Sequence, residues 1–106
     1  MAPPFTIFFG EGTATQTTPA LLFVTPDDAH YVVRDVLLNN ADPNPAYVTL
    51  RAGPAPYKIW WVTQLDSYLS EHLDLRQALR AGETLELVSG GQFAHARVTG
   101  YKLNLL

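Results

Sequence analysis

Short segments in which apolar and polar residues alternate run through this chain, and Pro-, Gly- and Asn-rich punctuation separates them. Gly82-Glu-Thr-Leu-Glu-Leu87 and Val98-Thr-Gly-Tyr-Lys-Leu103 show the pattern. A strand buried on one side requires such alternation, because successive side chains point to opposite faces of a sheet. Several segments of this kind at short spacing predict an all-β sandwich or barrel.

Leu21–Thr25 reads as a short buried strand stopped by the turn-forming Pro26-Asp-Asp28. His30–Leu38 carries apolar residues on both faces (Val32, Val36, Leu38 against Tyr31, Val33, Leu37) and is expected to be central. Asn39–Pro45 is a loop. Ala46–Ala52 alternates cleanly, with Val48 and Leu50 inward and Tyr47, Thr49 and Arg51 outward. Tyr57–Gln64 is the next strand. A loop or short helical turn at Asp66–Ser70 then leads to a strand near Glu71–Arg76, a 12-residue helix being the alternative. Leu85 and Leu87 face inward. Gly90-Gly91 is expected to form a hairpin turn into Phe93–Asn104. There Ala94, Ala96 and Val98 have one parity and Tyr101 and Leu103 the other, which predicts a bulge at Gly100. The expected fold is all-β: a single antiparallel β-sandwich of about eight strands, jelly-roll-like or immunoglobulin-like, over residues 20–106. An N-terminal arm or first strand precedes it over residues 1–19.

With 106 residues, one domain is expected. The charged fraction of 16% is low beside the roughly 25% usual in soluble domains, which points to a subunit sheltered in an assembly. A net charge of −3, with the basic residues scattered singly, gives no footprint for nucleic acid. The absence of cysteine excludes disulfides, iron–sulfur clusters and thiolate zinc sites. No stretch approaches the roughly 20 apolar residues of a membrane span. The first ten residues lack the basic flank of a signal peptide.

No catalytic constellation is expected. His30, His72 and His95 have no partner ligand within four residues, so no metal and no cofactor is predicted. Ser67, Ser70, His72 and Asp74 have the residue types of a hydrolytic triad but lack a nucleophile elbow, and read as an exposed polar face. Asp27, Asp28 and Glu11 read as turn residues rather than a calcium loop. Arg34 and Asp35 lie inside an apolar strand, each needing a charge partner on its own side.

Candidate binding residues fall in two groups. Trp60 and Trp61 are adjacent, so alternation sends one indole in and the other out. An outward indole with Tyr57 and Tyr47 suits a protein contact or a sugar-stacking platform. Phe5, Ile7, Phe8 and Phe9 form an apolar N-terminal segment held extended by Pro3-Pro4. It must add to its own sheet or dock on another subunit, since an exposed segment of this kind is aggregation-prone.

The run Leu21-Leu-Phe-Val-Thr-Pro26, Tyr31-Val-Val-Arg-Asp-Val36, Asn39-Asn40, Ala46-Tyr-Val-Thr-Leu50, Leu79-Arg-Ala-Gly-Glu-Thr-Leu85 and Val98-Thr-Gly-Tyr101 resembles small β-sandwich virion proteins of tailed bacteriophages. The resemblance covers about residues 20–104. The chain departs from the pattern at Thr25-Pro-Asp-Asp28, where such proteins usually carry Pro-Ala-Gly, and at Trp60-Trp61. The resemblance implies a non-enzymatic structural subunit located in the phage particle. A minor tail or tail-associated protein is expected first, capsid decoration or a connector second. Its partners would be other virion proteins, copies of itself and, for an adhesion role, a host-surface glycan. The alternative is a carbohydrate-binding module using the exposed aromatics.

Overall fold

The structure, a computed structural model, describes residues 6–104. They form eight strands: β1 (Ile7–Thr15), β2 (Ala20–Val24), β3 (Ala29–Asn40), β4 (Ala46–Gly53), β5 (Lys58–Leu65), β6 (Ser70–Leu79), β7 (Thr84–Ser89) and β8 (Phe93–Asn104). Two four-stranded antiparallel sheets, ordered β1-β8-β3-β6 and β2-β7-β4-β5, pack face to face. The expected β-sandwich is present. Its pairing is nested, β4 with β5, β3 with β6, β2 with β7 and β1 with β8. This is a long antiparallel ribbon rolled up on itself, and it selects the jelly roll over the immunoglobulin arrangement.

Inward positions fill the space between the sheets. Val33, Val36 and Leu38 on β3, Val48 and Leu50 on β4, Leu85 and Leu87 on β7 and Ala94, Ala96 and Val98 on β8 are buried in one core. β4 has the expected faces, Val48 and Leu50 inward and Tyr47 exposed. No helix forms between β5 and β6. Leu69 N–H donates to Asp66 O in a tight turn, and Tyr68 sits at φ 59°, outside the right-handed helical region.

Four expectations meet the structure as follows. First, of the arm and the first strand expected over residues 1–19, Ile7–Thr15 takes the strand form, pairing with β8 from Ile7↔Gly100 to Thr15↔Phe93. The segment Ile7–Phe9 therefore belongs to the sandwich rather than to a separate arm; Phe5 lies outside the described residues. Second, Gly90-Gly91 makes no hairpin: β7 and β8 lie in different sheets, so the turn carries the chain across the sandwich. Third, β8 has no bulge at Gly100. The extra residues are on its neighbours, Phe9 on β1 and Arg34 on β3. Gly100 is where they converge, and a Cβ there would collide with the Val32 carbonyl oxygen and meet the Phe9 ring at 2.9 Å. Fourth, β3 does not keep two constant faces. The bulge at Arg34 switches its inward positions from Val33 to Val36, Leu38 and Asn40 and leaves Leu37 exposed.

Candidate interaction surface

The two outer faces of the sandwich differ in chemistry. On the sheet containing β1, register brings Thr13, His95, Asn39 and Ser70 into one row across the four strands, and Glu11, Arg97, Leu37 and His72 into the next. Most of the polar side chains in these rows are engaged with a neighbour. His95 Nδ1 lies 3.0 Å from Thr13 Oγ1 and its Nε2 3.2 Å from Glu11 Oε2. His72 Nε2 is 2.9 Å from Asp35 Oδ1, and Asn39 Nδ2 donates to Ser70 Oγ at 2.9 Å. The triad-like residue types do not assemble, since His72 engages Asp35 and Ser70 engages Asn39. The Glu11–His95–Thr13 chain lies on the outer face of the sheet, across the β1–β8 pair. Among the described residues, no three His, Cys, Asp or Glu side chains gather where a metal ion could sit.

The outer face of the other sheet is apolar. Thr49 pairs with Val62 and Arg51 with Ile59, so Val62 and Ile59 share the outward side of β5. Leu21, Val24, Tyr47, Tyr57, Ile59 and Val62 are all exposed here, Tyr47 at 60% and Ile59 at 57%. One ion pair crosses the middle of the face, Arg51 Nη2 to Glu86 Oε1 at 3.0 Å. The Arg51 guanidinium also stacks 3.7 Å from the Tyr57 ring centre.

The structure separates the two groups of candidate residues. Ile7, Phe8 and Phe9 are on β1, an edge of one sheet; Tyr57, Trp60 and Trp61 are at or on β5, the far edge of the other. Ile7 and Phe8 are exposed, with the Arg97 guanidinium 5.0 Å from the Phe8 ring centre. Phe9 stacks on Phe23 at 4.6 Å and meets Tyr31 edge-on at 5.8 Å, so its ring is committed to the protein's own interior. Trp60 is the bulged residue of β5, without a β4 counterpart, and packs against the core, whereas Trp61 is 39% exposed. Ile59, Val62, Leu21 and Val24 were not among the candidates. The signal for the first two was present in the unbroken apolar run Ile59-Trp-Trp-Val62, which puts apolar side chains on both sides of a strand.

Carboxylates hold the two ends of the β3–β8 pair. Asp42, buried after β3, accepts the backbone N–H of Gln92 at 2.5 Å and of Asn44 at 3.0 Å, and these bonds hold its carboxyl below the ordinary 3.8. Asn40, fully buried beside it, donates to the carbonyls of Asn44, Leu65 and Asp66 and accepts from Asp42 N–H. At the other end Lys102 Nζ donates to Asp28 Oδ2 at 2.7 Å and Tyr31 Oη to Asp28 Oδ1 at 2.9 Å. The Lys102 bond, then the Tyr31 bond, lowers the Asp28 pKa; the Asp28 bond raises that of Lys102. The Tyr31 phenol is pushed up by burial first and then by its bond to Asp28.

Among the described residues, no helix is long and apolar enough to cross a membrane. A scan of the chain against protein-family models finds no match, and a search of curated proteins finds no significant relative.

Proposed function

We propose that this chain is a non-enzymatic structural subunit of a bacteriophage particle, tail-associated in the first instance, that docks on neighbouring virion proteins through the outer face of the β2-β7-β4-β5 sheet. The observation that carries this reading is the exposed set Leu21, Val24, Tyr47, Tyr57, Ile59 and Val62, an apolar face of the kind that marks protein contacts. Two further points support it: jelly rolls recur in capsid domains, and the strand sequences resemble phage virion proteins. The low charge content agrees.

Carbohydrate binding is the second reading, supported by the exposure of Tyr47, Tyr57 and Trp61. Against it, one face of the Tyr57 ring is covered by Arg51.

Mass spectrometry of gradient-purified particles tests the proposal. The chain is expected at a copy number in fixed ratio to the other tail proteins, and its recovery only outside the particles overturns the assignment. Saturable binding to a glycan array, lost in Trp61→Ala, would favour the second reading.

A further inference from the structure

The sandwich closes at one flank and stays open at the other. β1 packs on β2, so β5 and β6, the last strands of their sheets, stand together at the opposite flank. Cross-strand partners share a sheet face. Thr63 pairs with Val48, and Glu71 and Leu73 pair with Leu38 and Val36, all three partners pointing into the core. Inward positions on the middle strands, such as Leu38, Leu50, Leu87 and Val98, are fully buried. Thr63 and Glu71 are only half-buried, as are Leu75 and the bulged Trp60, which pack against the core from this flank. The space between the sheets is therefore open here. Trp60 and Thr63 form one wall, and Glu71, Leu73 and Leu75 the other.

Glu71 stands out in that setting. Buried polar atoms are normally hydrogen-bonded, and a bare carboxylate oxygen away from water is costly. Glu71 Oε2 is buried, yet it has no hydrogen-bond partner among the described residues. Other carboxylates are matched: Glu86 with Arg51, Asp28 with Lys102, Glu11 with His95 and Asp35 with His72. Lys58 shares the inner side of β5 through its pairing with Ala52, but it forms no ion pair with Glu71. A carboxylate oxygen accepts, so the missing partner is a donor. At a position screened from water, a charged donor binds it more strongly than a neutral one. The guanidinium group is weakly hydrated and tolerates such a position better than an ammonium group does. An arginine stem also suits apolar walls, and its head is attracted to an indole face.

We propose that the open flank between β5 and β6 receives an arginine side chain of a partner protein, its guanidinium donating to Glu71 Oε2. Leu75 and Trp60, further along the cleft, receive the apolar part of the segment that carries it. This site lies apart from the apolar outer face, and it stands whether or not the chain belongs to a particle.

NMR titration of the full chain with a capped glycine-arginine-glycine tripeptide tests it. Control titrations use the same peptide with citrulline in place of arginine, and a methyl glucoside. Saturable shifts are expected at Thr63, Glu71 and Leu73, with the citrulline peptide and the Glu71→Gln variant each binding about tenfold more weakly. Glu71→Gln should hold or raise the melting temperature of the free chain, because it removes a carboxylate that lacks a partner. A marked fall in melting temperature would mean that the oxygen already has a partner within the chain, and would overturn the proposal. So would the absence of saturable shifts, equal binding of the citrulline peptide, equal binding by Glu71→Gln, or shifts at these residues with the glucoside in place of the arginine peptide.

Discussion

The two sheets have matching inner faces and opposite outer ones. Inward, Leu38 and Val98 on one sheet meet Leu50 and Leu87 on the other, all fully buried. Outward, β8 and its neighbours present Glu11, His95, Arg97 and His72, paired among themselves or with adjacent side chains. β4 and β5 present Tyr47, Ile59 and Val62 to solvent. A sandwich needs only its inner faces to be apolar. The apolar outer face of the β5 sheet is therefore not required by folding, and it is the face on which the proposed docking rests. The polar groups of the other face are largely engaged with one another, although Phe8, Leu37 and Phe93 are exposed there too.

The comparison breaks first if the inner faces are not equivalent. Leu38→Ala and Leu50→Ala should each cost about 2–5 kcal/mol, measured by denaturant unfolding, because each leaves a cavity in the same core. A loss near zero at either would mean that its sheet is not packed as described.

The next effect sharpens the comparison at the sheet ends, where carboxylates clasp β3 to β8. Asp42 and Asp28 titrate lower in the folded than in the unfolded chain. The stability they confer is therefore present above the ordinary 3.8 and is lost as pH falls through their folded values. Lys102 has the opposite sign: its contribution is present below the ordinary 10.5 and is lost as pH rises through its raised value. Asp42→Asn should lower the melting temperature at pH 7 and flatten the acid limb of a stability–pH curve. Asp28→Asn should do so less, because it is more exposed, and should also soften the alkaline limb.

The smallest expected effect on stability separates the outer faces. Leu37→Lys and Val62→Lys should each change folding stability by no more than about 0.5 kcal/mol, both sites being exposed. Only Val62→Lys should weaken incorporation into particles. Equal effects of the two would erase the distinction between the faces.

The inner faces were legible wherever strands are regular. Val48, Leu50, Leu85 and Leu87 were placed correctly because nothing interrupts period two in β4 or β7. β3 was misread because Arg34 is an extra residue, and alternation cannot show that a register slips until the partner strand is known. The parity change in β8 was visible in the sequence, yet the bulges belong to Phe9 and Arg34 on either side, a fact of pairing between strands far apart in the chain. Gly90-Gly91 has the composition of a tight turn, but local turn chemistry does not specify which sheet the next strand joins. At the candidate surface, single aromatics drew attention to Tyr57 and Trp61. The face they belong to required the β4–β5 register, which puts Ile59 and Val62 beside Arg51 and Thr49.

The nesting of strand pairs has a kinetic consequence. Of the seven connections, only β4–β5 joins neighbours within one sheet; every other one crosses the sandwich. The ribbon can therefore zip from the middle, with β4–β5 closing the shortest loop, then β3–β6, β2–β7 and finally β1–β8 across nearly the whole described chain. Loop-closure entropy rises along that sequence, and a topology so rich in distant contacts folds slowly for its size. During synthesis the β1 edge must wait for β8, the eighth of the described strands. Until then Ala14, Val36 and Leu38 lack the strand that pairs with theirs, and the nascent sandwich is at its most vulnerable to chaperones, proteases and misplaced partners just before β8 emerges.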